Sequence, residues 1–207
     1  LWGAAIGMVT GEAKGRHLAI SLIIASIPII LVGLTFGQTV KDLLFNDIAV
    51  AVGLIVGGLI IMWIEKNPPK VNAVEVENIT FKQAIWIGLI QVLSLIPGTS
   101  RSGATIIGAM FLGVSRKAAT EFSFFLGIPV IIGAGLLDLY QSHDVFQGQQ
   151  DWIVLAVGLL VSFISALLLI RALVAYVAKR DFMIFAWYRI FSGLIILLFA
   201  FTGWKLW

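Results

Sequence analysis

Five long apolar runs constrain this chain more than any other feature. They cover residues 18–36, 48–64, 122–140, 152–177 and about 182–204. A helix needs about 20 residues to cross a hydrocarbon core of roughly 30 Å, and each run is close to that length. The chain is 60% hydrophobic and only 12% charged, with a mean hydropathy of +1.04. Too little charged surface remains for a water-soluble domain, so the sequence reads as an all-α polytopic membrane protein with one integral membrane domain over residues 1–207. Cysteine is absent, which excludes disulfides and thiolate metal sites. The net charge of +3 is read as setting orientation in the bilayer, with no nucleic-acid partner. The chain opens with Leu1, not Met, inside an apolar stretch. That stretch is read as an incomplete leading helix, so the chain is expected to be a fragment lacking its N-terminal part.

Two shorter apolar pieces, residues 83–96 and 104–113, lie between the second and third long runs. At 1.5 Å per residue they reach only about 20 and 15 Å, too short to cross separately. They form either one kinked span or a re-entrant hairpin over about 83–113. Loop charges decide between these. Lys66, Lys70 and Lys82 precede the pieces, Arg116 and Lys117 follow them, and Lys179 and Arg180 lie in a later connection. The connection 141–151 has Asp144 and Asp151 but no Lys or Arg. Basic loops stay cytoplasmic, and only the hairpin puts every basic loop on that side. The same reasoning places the connection 12–17 inside, 37–47 outside and the C-terminus outside, with Lys41 the one dissenting charge.

Trp63, Trp86, Trp152 and Trp204 fall near predicted span ends, as an aromatic belt requires. Gly33/Gly37, Gly53/Gly57 and Ala104/Gly108 are small-xxx-small pairs that let helices approach closely. They are read as intramolecular packing, with a homodimer as the alternative. Ile27-Pro28-Ile29-Ile30 recurs as Ile128-Pro129-Val130-Ile131, a weak internal likeness of the kind seen in folds with broken helices.

The chemistry concentrates in Pro97-Gly98-Thr99-Ser100-Arg101-Ser102-Gly103 and the nearby Thr105. In residues 84–96 and 104–112 the only polar side chains are Gln91, Ser94 and Thr105, apart from the indole of Trp86. A permanent charge at membrane depth marks a functional site, and a broken helix survives there only where it lines a cavity or packs in protein. Gly98 and Gly103 let a ligand approach the main chain. A short helix starting near Ser102 aims free N–H groups and its positive dipole end at an anion. Arg101 adds a charged fork suited to phosphate oxygens, and Ser100, Ser102 and Thr105 can donate to the same oxygens. The sum is a phosphate cradle inside a membrane. It is not a Walker A loop, because the Lys and its spacing are missing. On the bland alternative Arg101 pairs with a buried carboxylate or snorkels, and the hydroxyls cap a helix.

The nine residues PGTSRSGAT, preceded by Gln91 and followed by Gly113-Val-Ser-Arg-Lys-Ala-Ala-Thr-Glu-Phe-Ser-Phe124, closely resemble the second signature of bacterial undecaprenyl-diphosphate phosphatases, the bacitracin-resistance proteins. The likeness extends to the Ile-Pro helix, Leu137-Asp-Leu-Tyr140 and Tyr188-Arg189. The resemblance implies hydrolysis of the lipid diphosphate to the monophosphate, which recycles the carrier for peptidoglycan synthesis. It implies a location in the bacterial inner membrane with the site facing the periplasm. Carried over, Arg101, Ser100 and Ser102 are the expected catalytic residues, with Gly98, Thr99, Gly103 and Thr105 binding the diphosphate. It also implies a divalent cation, Mg or Ca. The family's N-terminal signature, a glutamate-rich segment leading to a Pro-Val-Ser-Ser-Thr-Gly-His turn, has no match here. The metal ligands are therefore expected in the missing N-terminal segment, and this chain is expected not to catalyse alone. A polyprenyl-phosphate flippase or anion/lipid transporter is the rival reading, since carriers also aim broken helices at anions.

Other polar residues carry weaker expectations. Glu121 is read mainly as structural at a helix start, and Arg189 as needing a partner inside the last span, with a second anion contact as its functional reading. His17 and His143 are read as solvated loop residues, and the sequon at Asn78-Ile-Thr80 as chance.

Overall fold

The computed structural model describes residues 12–141 and 148–202. Within them seven α-helices follow one another: α1 (Ala13–Leu44), α2 (Asp47–Lys66), α3 (Phe81–Gln91), α4 (Arg101–Phe111), α5 (Arg116–Gln141), α6 (Gln149–Val177) and α7 (Met183–Thr202). Five of them, α1, α2, α5, α6 and α7, are long and apolar enough to cross a membrane. The expected leading helix, His143 and Trp204 lie outside the described residues.

Helix α1 is longer than the apolar run that predicts it. Its 32 residues take in most of both stretches expected to be loops, 12–17 and 37–47. No proline interrupts either stretch, and only Phe45 and Asn46 separate α1 from α2. Asn46 starts α2 by accepting a 2.9 Å bond from Ala49 N. His17 is therefore helical, not a loop residue, and its ring centre lies 4.4 Å from that of Phe81 at the start of α3. Pro28 and Pro129 both sit inside helices, α1 and α5.

The two short helices fold back on each other. Thr80 and Gln83 form a reciprocal cap on α3: Thr80 Oγ1 accepts from Gln83 N at 3.2 Å, and Gln83 Oε1 accepts from Thr80 N at 2.9 Å. The sequon threonine thus serves as a helix cap. Gln83 Nε2 donates to Asn72 Oδ1 at 2.9 Å and to Leu112 O at 3.0 Å. The start of α3 and the end of α4 consequently lie side by side, and the chain reverses between them. Gly113, at φ +84, closes α4, as glycine commonly does past a helix end. Ser115 then caps α5 by accepting from Ala118 N at 3.2 Å while donating to Val74 O at 2.7 Å.

Helix α1 packs along α3, α5 along α4, and α2 along α7. Small residues set the last of these contacts: a Cβ on Gly193 would stand 2.6 Å from Ile55 Cγ1, and one on Gly58 would stand 2.7 Å from Ile190 Cγ1. The pair Gly53/Gly57 also lies in tight packing, whereas Gly33 and Gly37 have nothing within 4 Å. Trp63, Trp86 and Trp152 are exposed on the outside of the bundle. The buried core joins Leu18 and Leu22 of α1, Ile87 of α3, Ile106 and Met110 of α4, and Phe122 and Leu126 of α5.

One carboxylate ties the end of α2 to two other helices. Glu65 accepts from Arg116 Nε at 3.0 Å and pairs with Arg116 Nη2, and its Oε1 also accepts from Phe182 N at 3.0 Å. Lys117 reaches Glu75 at 3.4 Å. The basic segments around Lys66, Arg116 and Lys179–Arg180 therefore gather at the open end of the hairpin. Replacing Glu65 by Gln leaves Arg116 without its counter-charge, at a cost of about 1–3 kcal/mol. A lowered thermal midpoint of the detergent-solubilised protein is the expected reading.

Candidate active site

The hairpin tip rests on the first turns of α2. Gly98 has φ +81, a conformation that favours glycine, and a Cβ there would run into the backbone of Val50. In return, a Cβ on Gly53 would stand 2.6 Å from Pro97 O. Backbone thus lies against backbone. Across this contact runs the side chain of Arg189 from α7, only 8% exposed. Its Nη2 donates to Gly98 O at 3.0 Å and Gly53 O at 3.1 Å, and its Nε donates to Leu54 O at 3.4 Å. Gly57 leaves the space its guanidinium fills.

Beyond the tip, Ser100 caps α4: its Oγ accepts from Gly103 N at 3.1 Å and lies 3.2 Å from Ser102 Oγ. The N–H groups of Arg101 and Ser102, in the first turn, make no hydrogen bond among the described residues. The helix start is thus a site of unsatisfied donors with a favourable dipole for an anion.

Helix α4 divides the predicted residues between two faces. Ser100 and Gly103 face α2 and α7, where two adjoining cavities open. One, of about 430 Å³, is lined by Gly98, Thr99, Ser100, Ser102, Gly103 and Arg189. The other, of about 320 Å³, shares Thr99, Ser100, Gly103 and Arg189 and extends to Trp63 and Phe111. Arg101 and Thr105 are four residues apart and so share a different face, turned to α5. Arg101 Nη1 donates to Ser123 O at 3.4 Å, and a Cβ on Gly127 would stand 3.0 Å from Nη1. Thr105 is fully buried, donates to Arg101 O at 3.0 Å and shares a 2.6 Å hydrogen bond with Ser123 Oγ. Five of the seven predicted residues therefore share a cavity with Arg189, and Arg101 and Thr105 do not line it.

Neither Arg101 nor Arg189 forms an ion pair among the described residues. The bland alternative of a carboxylate partner for Arg101 finds no counterpart there, and two permanent charges flank one helix start in apolar surroundings. Sequence reasoning left Gly53, Gly57, Ser123 and Gly127 out of the site and named Arg189 only as a second anion contact. The four-residue spacing of Arg101 from Thr105, and of Ser123 from Gly127, was the available signal for the α4–α5 face. Glu121 is 4% exposed on α5, and Gln91 is fully buried with Oε1 unpartnered among the described residues. No group of three or more His, Asp or Glu side chains that could hold a metal ion occurs among the described residues.

Comparison with known proteins gives the chain a family. The family model described as "Bacitracin resistance protein BacA" matches residues 2–195. Undecaprenyl-diphosphatase 1 of Acinetobacter baylyi is 88% identical over 207 residues, covering 100% of this chain and 76% of that protein. An undecaprenyl-diphosphatase of Psychrobacter cryohalolentis is 57% identical over 97% of the chain and 73% of its own length. One from Acinetobacter baumannii is 47% identical over 94% of the chain and 71% of its own length. The family model over most of the chain and this extent of identity lead to one assignment: the chain belongs to the BacA bacitracin-resistance family.

Proposed function

We propose that the protein hydrolyses undecaprenyl diphosphate to undecaprenyl phosphate and inorganic phosphate, recycling the lipid carrier of peptidoglycan synthesis. The observation that carries this reading is the start of α4 within an apolar bundle: clustered hydroxyls, with open N–H groups and an Arg101 that has no carboxylate partner among the described residues. A diphosphate ester attached to a hydrocarbon chain matches both the charge and the surroundings.

In this reading Arg101 and the first-turn N–H groups stabilise negative charge on the phosphate being transferred. Ser100 and Ser102 donate to its oxygens, and Gly98, Thr99 and Gly103 give the ligand access to the backbone. Thr105, buried beneath Arg101, holds that residue's turn through Ser123. The described residues do not fit a divalent cation, and no step here passes through one. The sidedness proposed is a hairpin entering from the cytoplasm of the inner membrane, with its tip opening toward the periplasm. It is supported by the basic segments collected at the hairpin's open end through Glu65, Arg116 and Lys117.

Replacing Arg101 by Ala in the intact membrane protein should lower phosphate release from undecaprenyl diphosphate by about 10²–10³-fold. Release at the wild-type rate would overturn the assignment. Replacing Gly53 by Val should push the tip off α2, because a Cβ there already stands 2.6 Å from Pro97 O. A loss of about 10²-fold in turnover, with the protein still folded by circular dichroism, is the expected outcome.

A further inference from the structure

The junction of α2, α6 and α7 carries more positive charge than it neutralises. Lys66 ends α2, and Lys179 and Arg180 follow the last turn of α6; all three are exposed. The 3.0 Å bond from Phe182 N to Glu65 Oε1 brings these two segments together. Both carboxylates of the junction are already engaged. The Glu65 side chain is only 2% exposed and is shared between Arg116 and Phe182 N. Asp181 Oδ1 accepts from Met183 N at 3.2 Å, at the start of α7. Lys66, Lys179 and Arg180 have no ion pair among the described residues.

Cations suit the ends of α2 and α6, where the helix dipole is negative, but a dipole supplies no counter-ion. Like charges brought close together repel, and an anion held among them relieves the repulsion. The surface next to them says which anion. Tyr176, in the last turn of α6, meets Phe185 of α7 edge-on with ring centres 6.1 Å apart, and Phe185 lies 6.0 Å from Phe182. Tyr176 and Phe185 are each 38% exposed, so their rings form part of the outer wall beside the cations. A small soluble anion meets only the charges. An acidic glycerophospholipid meets both: its phosphate suits the cations, its glycerol oxygens the tyrosine hydroxyl, and its acyl chain the rings.

We propose that this junction is a binding site for one acidic glycerophospholipid. The phosphate sits among Lys66, Lys179 and Arg180, and the glycerol and upper acyl chain lie against Tyr176 and Phe185. The lipid bridges α2 and the α6–α7 connection from outside, as Glu65 bridges them from within. The site is at the open end of the hairpin, takes no residue from the tip, and does not depend on the diphosphatase reading.

The test is native mass spectrometry of the intact, detergent-solubilised protein titrated with dioleoyl phosphatidylglycerol and, separately, with dioleoyl phosphatidylcholine. The first adduct of phosphatidylglycerol should form at least about tenfold more tightly than that of phosphatidylcholine. Changing Lys66, Lys179 and Arg180 together to Gln should weaken phosphatidylglycerol binding at least about tenfold. Changing Lys14, Arg16 and Lys82 together to Gln removes the same charge beside α1 and α3, and should leave binding within about threefold. Tyr176→Ala keeps every charge and should weaken binding about threefold; it decides the question if the first triple variant does not fold. Glycerol 3-phosphate, which has the charge without the chains, should not displace the lipid. Equal affinity for the two lipids, or an equal loss in the two triple variants, would overturn the proposal. So would unchanged binding in the folded Lys66/Lys179/Arg180 variant or in Tyr176→Ala, or displacement by glycerol 3-phosphate.

Discussion

Backbone groups that leave a helix inside a packed bundle must find partners in the protein itself, and the hairpin tip is built around that constraint. Between α3 and α4 the chain abandons helical hydrogen bonding at Ile96–Thr99. The protein itself must supply partners. Arg189 does so for Gly98 O, Ser100 does so for Gly103 N, and Thr99 N turns back to Ile96 O at 3.1 Å. Every other feature of the region follows from bringing the tip close enough for these bonds. Gly53 and Gly57 on α2 give up side chains so that backbone and guanidinium fit, and Gly98 takes the conformation that closes the turn.

The same bonds make chemistry available. An arginine used only as a structural brace would spend all its donors on the protein, but Arg189 retains Nη1. Every helix start leaves its first N–H groups without intrahelical partners, and those of Arg101 and Ser102 stay open among the described residues. Stability and binding are thus built from one set of groups. The tip is held by the bonds it makes and keeps other donors open among the described residues. Taking charge out of water is costly, and neither Arg101 nor Arg189 beside this helix start has an ion-pair partner among the described residues.

The opposite end of the hairpin has a different task. Gln83 ties α3, α4 and the preceding loop together, and Glu65 ties α2 to α5 and to the start of α7. Both lie at helix ends, where free backbone groups and neighbouring side chains supply them with partners. The hairpin is accordingly anchored by side chains at its base and by backbone contact at its tip.

Much of this was legible in the residues. Long apolar runs determine that the chain is a helical membrane protein, because only helices or closed barrels satisfy their backbone in lipid. The two runs too short to cross, joined by Pro97-Gly98, determine a reversal, and the basic segments around it determine that its ends share a side. The chemistry of Ser100, Arg101 and Ser102 is read from their presence in an apolar context. The ends of α1 were not legible, because a helix former beyond an apolar run looks the same whether it continues the helix or leaves it. Tertiary structure alone decided how the polar residues are divided. A helix turns about 100° per residue, so adjacent Ser100 and Arg101 face different neighbours, and only the packing of α2, α5 and α7 says which. It also brought Arg189, 88 positions beyond Arg101 in the chain, to the same helix start. No local pattern encodes that approach, because it depends on glycines in α2 that allow α7 and the hairpin tip to meet.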